Sequence, residues 1–215
     1  MVVDDDSTGG RTGEMTKYYK VADFVFAVTL GGNRDLEVLL PSFSVFECCE
    51  RPEGDLLFKL VEEEVEEDCP LAEFLEEDVN DMGHTCLYRV GDRYRVTVRY
   101  AEFEHVLEAG ADFRQVSAKL KWEDPYVPSV LCSMLRIVFA QAALLHSAVS
   151  LHSSTVVKDG MAYMFMGRSG TGKSTHSSLW LKHIEGTELL NDDNPVIRIY
   201  PDEIVVFGAL MPIVS

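Results

Sequence analysis

The sequence predicts an α+β chain: an antiparallel β-rich N-terminal domain, then one long apolar helix, then a strand, a glycine-rich loop and a second helix. Three observations carry that prediction. Apolar residues recur with period two over much of 17–122, an apolar run fills 130–149, and "MFMGRSGTGKST" joins two patterned segments at 164–175. Period two marks strands with one face in a core and one in water. At 47% hydrophobic and 26% charged residues over 215 positions, the chain has the composition of a globular protein with material for a sizeable core.

The opening segment "MVVDDDSTGGRTGEM" is acidic and glycine-rich without an apolar stretch, so residues 1–16 are expected to form a disordered leader. Residues 17–125 carry the strand patterns. Phe24, Phe26, Val28 and Leu30 alternate with other residues. Tyr94, Val96, Val98 and Tyr100 alternate with Arg93, Arg95, Thr97 and Arg99, which are expected on a wet face. Val116, Ala118, Leu120 and Trp122 alternate with Gln115, Ser117, Lys119 and Lys121. Gly91-Asp92 between two such runs is a hairpin signal. Two acidic stretches, "VEEEVEEDC" and "EFLEEDVND", are expected as solvated helix faces or loops rather than as a metal site.

Pro125 and Pro128 end the strand pattern and open a second unit over 126–215. Its first element is the apolar run. Arg136 lies near the middle of that run and would cost about 2.5–3.5 kcal/mol in a bilayer, so a helix packed on most sides is expected rather than a membrane span. "SSTVVKDGMAYMFM" then reads as a strand pair turning at Asp159-Gly160.

Charge and cysteines restrict partners and compartment. The formal charge of -17 repels nucleic-acid phosphate and anionic lipid, so neither partner is expected. Cys48, Cys49, Cys69, Cys86 and Cys132 show no metal-ligand spacing and no even disulfide set. They fit a reducing, cytoplasmic setting, with adjacent Cys48 and Cys49 expected as buried apolar residues. The sequence leaves room for a homo-oligomer.

The glycine-rich loop is the candidate site. Gly167, four residues, then Gly172-Lys173-Ser174 satisfies G-x-x-x-x-G-K-[ST], a pattern that chance places in a chain of this length at about one per cent. Tyr163–Met166 can end a strand, and Leu179, Leu181 and Ile184 among polar residues suggest an amphipathic helix after the loop. The chemistry needs that order. Glycines let backbone amides approach phosphate oxygens, and the helix N-terminus adds unpaired donors. Lys173 is expected to reach the β- and γ-phosphates of ATP and the Ser174 hydroxyl to bind Mg²⁺. Asp192 and Asp193, after Leu189-Leu190, can divide metal binding from proton abstraction, although "NDDNP" is also good turn chemistry.

"LHSSTVVKDGMAYMFMGRSGTGKST", followed by "LLNDDNPVIRIYPDEIVVFG", resembles the catalytic domain of HPr kinase/phosphorylase, a member of the phosphoenolpyruvate carboxykinase-like P-loop kinases. The resemblance spans roughly residues 145–208 and rests on His152, the glycine loop, the double aspartate and the strand pair after it. It implies a nucleotide-binding domain that holds ATP phosphates on Gly167, Arg168, Ser169, Gly170, Thr171, Gly172, Lys173, Ser174 and Thr175. It implies Mg²⁺ on Ser174 and Asp192, phosphoryl stabilisation by Lys173, and His152 near the phosphates. Asp193 is then the proton acceptor from a protein serine or small-molecule phosphoacceptor. The family pattern continues past Ser215 with a metal-binding glutamate and an acceptor loop, so the second domain is expected to be incomplete. The interval from the loop lysine to the aspartates is slightly longer than in the bacterial enzymes. The N-terminal half and His146, His176 and His183 have no counterpart. Two alternatives stand beside a kinase: a catalytically incomplete nucleotide-binding scaffold, and carboxykinase chemistry on oxaloacetate.

Overall fold

In the computed structural model, which describes residues 13–51, 53–66, 71–80 and 83–208, the period-two stretches join into one nine-stranded sheet. The chain forms β1 (Met15–Val21), β2 (Phe24–Leu30), the short helix α1 (Leu36–Leu39), a 3₁₀ turn over Pro41–Phe46, and β3 (Glu47–Cys48). It continues through β4 (Lys59–Glu62), β5 (Glu73–Asn80), β6 (Gly83–Val90), β7 (Arg93–Tyr100), β8 (Phe103–Gly110) and β9 (Gln115–Lys119). The spatial order is β3-β1-β2-β4-β9-β8-β7-β6-β5. Most pairs are antiparallel, as the patterns predict, but β4 runs parallel to both β2 and β9. The connection from β2 to β4, which contains α1, is long enough to carry the chain back for parallel pairing. The predicted hairpin is present: Val90 faces Arg93 across Gly91-Asp92, and Gly91 takes φ +62°.

Several expectations need correction. "EFLEEDVN" is neither helix nor loop but β5, the edge strand of the sheet. Its carboxylates suit an edge, where charge discourages pairing with another chain. Arg95 is not on a wet face; it is buried and bonds Glu108 at 2.6 Å. Cys48 is half-buried and Cys49 exposed, because β3 lies at the opposite edge. Met15 and Thr16, assigned to the leader, begin β1, and Thr16 shares a hydroxyl hydrogen bond with Thr29 across the pair. Residues 1–12, Cys69 and the last seven positions lie outside the described residues.

The core forms around Phe26. Its ring stacks on Phe58 with centroids 4.7 Å apart and meets Tyr19 at 5.5 Å and Phe139 at 6.1 Å. Phe139 belongs to α2 (Val127–Leu144), whose apolar face buries Val130, Leu131, Met134, Leu135 and Val138 as well. Among the described residues α2 is the one helix long and apolar enough to cross a membrane; here it packs on the sheet. Its start is fixed from both sides. The Asp124 carboxylate accepts from the Tyr126 amide, and its other oxygen lies 2.9 Å from Nε2 of fully buried His105. The Lys121 amide donates to Nδ1 of that ring, so Nε2 carries the proton toward Asp124.

Beyond α2 the chain forms β10 (Ala148–Ser150), β11 (Ser153–Lys158), β12 (Met161–Met166), α3 (Lys173–His183), β13 (Glu188–Asn191), β14 (Val196–Ile199) and β15 (Ile204–Phe207). These build two three-stranded sheets, β10-β14-β15 and β12-β11-β13. Ala148 and Val196 join the same core cluster as α2 and the large sheet. Arg198 adds a tie, donating to the Ala22 carbonyl with its guanidinium 3.9 Å from the Phe24 ring centroid.

Candidate functional site

The strand–loop–helix order read from the sequence is present as β12, residues 167–172 and α3. The loop's backbone explains its glycines. Gly170 and Gly172 adopt φ +77° and +89°, and a Cβ at either position would meet open space. At Gly167 the constraint is different: a Cβ there would lie 2.7 Å from the Thr171 hydroxyl. Thr171 in turn donates from that hydroxyl to the Arg168 carbonyl. The carbonyls of Gly167 and Arg168 therefore turn inward, where Lys173 Nζ donates to them at 2.9 and 3.2 Å.

Gly172 is the N-cap of α3 and supplies no side-chain hydrogen bond to its first turn. The first amides of a helix have no intrahelical acceptor, so they face the exposed loop mouth together with the positive end of the helix dipole. Ser169, Ser174 and Thr175 are exposed beside them. This is a cradle of donors backed by an ammonium group, suited to an anion with several oxygens.

α3 is not amphipathic in the way its leucines suggest. Leu179 and Leu181 are 51% and 39% exposed. The helix instead packs through Ser177, which hydrogen-bonds Ser154 of β11, and through Trp180, 4.9 Å from the Tyr163 ring. His176 lies against Phe165 at 4.4 Å. Residues 173, 176, 177, 180 and 184 share one helical face, and 179 and 181 fall on its flanks.

The aspartates emerge near the same edge. β11 pairs antiparallel with β12 on one side and β13 on the other. β12 and β13 are thus parallel to each other and both end beside the start of β11. Ser153 faces Met166, the last residue before the loop, and donates its amide to the Asp193 carbonyl at 2.9 Å. With neighbouring strands about 4.8 Å apart, the loop and the two carboxylates begin about 10 Å from each other. His152 stands between them.

Sequence-selected residues meet here. His152 Nδ1 is 3.4 Å from Asp193 Oδ1, and both side chains are about half exposed. The Asp193 amide donates to the Asn191 side chain at 2.8 Å, which fixes the turn after β13. Asp192 is in the opposite state: its Oδ1 is buried and has no hydrogen-bond partner. An ionised carboxylate oxygen can only accept, and a buried acceptor without a donor is costly. One participant was not selected from sequence. Arg136 reaches out of α2 and donates to Asp193 Oδ2 at 3.3 Å. A lone arginine inside an apolar run was the available signal, since such a cation needs a nearby acceptor.

A separate cavity of about 490 Å³ lies between α2 and the large sheet, with Leu87, Val96, Leu107 and Ile137 in its walls. None of the loop residues lines it, and its mostly apolar walls with Glu76, Glu77 and Asp78 do not suit a polyphosphate. The chain matches no protein-family model, no curated protein and no solved structure.

Proposed function

We propose that the chain binds ATP on the 167–175 loop and transfers its γ-phosphate to a protein serine or small-molecule acceptor, in the manner of the HPr kinase-like P-loop kinases. The observation that carries this reading is the cradle itself. Uncapped amides at the start of α3 and two glycines at positive φ border one exposed loop, and the Lys173 ammonium lies beneath it on the loop's own carbonyls. In this account the second unit is a nucleotide-binding domain, and the N-terminal sheet carries it through α2.

The residues present fit a magnesium ion. Asp192 Oδ1 is an orphaned buried acceptor, and Ser174 presents a hydroxyl in the first turn of α3. Those two groups would hold the metal, which when bound neutralises charge on the phosphate oxygens. The chain's own groups do the rest. Lys173 leaves the Gly167 carbonyl for the phosphates and stabilises charge on the group in transfer. Asp193, oriented by Arg136 and His152, takes the proton from the attacking hydroxyl.

Calorimetric titration with Mg·ATP tests this directly. Wild type is expected to bind. Lys173→Ala removes charge-assisted hydrogen bonds worth about 1.5–3 kcal/mol, a loss of about tenfold or more in affinity. Equal affinity in the two proteins ends the proposal. Transfer of labelled phosphate from ATP to a serine-bearing acceptor separates a kinase from a nucleotide-binding scaffold, and turnover of oxaloacetate would point to carboxykinase chemistry.

A further inference from the structure

Far along the chain from the loop, β5 and β6 bring together three donors that the nucleotide reading does not use. His84 and Cys86 are two residues apart on β6 and so share one face of the sheet. Glu77 of β5 sits directly opposite Cys86 in the register. The donor atoms of all three lie within 4.8 Å of one another. His84 Nε2 is 2.9 Å from Glu77 Oε2 and 3.3 Å from Cys86 Sγ.

We propose that Glu77, His84 and Cys86 form a binding site for a borderline-soft divalent metal of the zinc type. The donor set selects the class. A thiolate and an imidazole favour zinc or its neighbours, whereas magnesium and calcium demand oxygen donors. The spacing fits as well. A tetrahedral centre with metal–sulfur about 2.3 Å and metal–nitrogen about 2.0–2.1 Å holds those two donors about 3.5 Å apart. Nitrogen and carboxylate oxygen would stand about 3.4 Å apart on the same geometry. The existing contacts need to open by only about 0.2 and 0.5 Å to admit an ion.

Burial is graded across the site. Cys86 is 8% exposed and anchors the inner side, while the His84 and Glu77 side chains are 36% and 59% exposed. An ion held there keeps a position open to water, the arrangement of three protein ligands plus solvent. Cysteine spacing in the sequence gives no hint of the site, because one ligand comes from the neighbouring strand.

The test is titration of the full chain with Co²⁺ followed by Zn²⁺. The expected result is one equivalent of Co²⁺ with a thiolate charge-transfer band and tetrahedral visible bands, all abolished by Zn²⁺. C86S should remove the charge-transfer band. E77Q, at an exposed position that does not threaten folding, should weaken binding about tenfold or more. A C48S/C49S double variant and K173A should both keep the band, which separates this site from the Cys48–Cys49 pair and from the nucleotide loop. Absence of the band in wild type, its survival in C86S, or unchanged affinity in E77Q would each overturn the assignment.

Discussion

Asp192 and Asp193 are adjacent yet differently placed, and that difference sets their expected roles. Asp193 is bonded by Arg136 and His152, whereas Asp192 keeps a buried oxygen without a donor. Asp192→Asn is therefore expected to abolish the magnesium dependence of ATP affinity while leaving thermal stability equal or higher by about 1 kcal/mol. Melting curves and magnesium titrations measure the two parts, and a destabilised variant with an intact magnesium response would contradict the assignment. Lys17 shows a different single-residue effect. Burial pulls its pKa down, but hydrogen bonds to Glu37 and Glu47 outweigh this and hold the ammonium above its ordinary range. Because the folded value is raised, the stabilisation is complete below about pH 10 and is lost as pH rises through the folded value. From about pH 10 upward, the stability difference between wild type and Lys17→Met should shrink as pH rises. A constant difference would refute the linkage. At this scale local sequence grammar located Lys173 at the start of α3 and Asp193 in the turn after β13, where the structure has them. It hid Arg136 and the Glu77–His84–Cys86 group, whose partners are set by strand pairing and helix packing.

Among elements, β7, the β6–β7 hairpin and the strand–loop–helix passage were legible because each is encoded in one continuous stretch of sequence. β5 was not. Its acidic run resembles a solvated helix, and only its place at the sheet edge makes a strand of it. α3 was legible in extent but not in orientation. The strand beneath it presents buried Ser153, Ser154 and Thr155, so the helix docks through Ser177 and Trp180 rather than its leucines. The α2–sheet contact is the main packing element, and Phe26 is its centre. Phe26→Ala is expected to destabilise the chain by about 3–5 kcal/mol in chemical denaturation, with Phe139→Ala in the same range. A loss below 1 kcal/mol for both would mean that α2 does not depend on this contact. Gly172→Ala places a Cβ on a left-handed residue and is expected to cost about 1–2 kcal/mol. The open space around it means that the cost comes from backbone strain, not from a clash.

On the scale of the whole molecule, a large mostly antiparallel sheet and one packed helix support a smaller α+β region whose edge gathers the glycine loop, His152 and two aspartates. The same core contains Phe26 of the sheet, Phe139 of α2, and Ala148 and Val196 of β10 and β14, and Arg136 of α2 reaches Asp193 at the candidate site. An overall charge of -17 repels polyphosphate from the surrounding surface. On the proposed nucleotide reading, the attraction is supplied locally, through amides, the helix end and Lys173. The most direct measurement is a crystal structure with Mg²⁺ and a non-hydrolysable ATP analogue. The account predicts phosphate density against the amides of residues 169–174, with Lys173 Nζ moved from the Gly167 carbonyl onto the β- and γ-phosphates and the metal at Asp192. A nucleotide bound elsewhere, with Lys173 still bonded to Gly167, would contradict it.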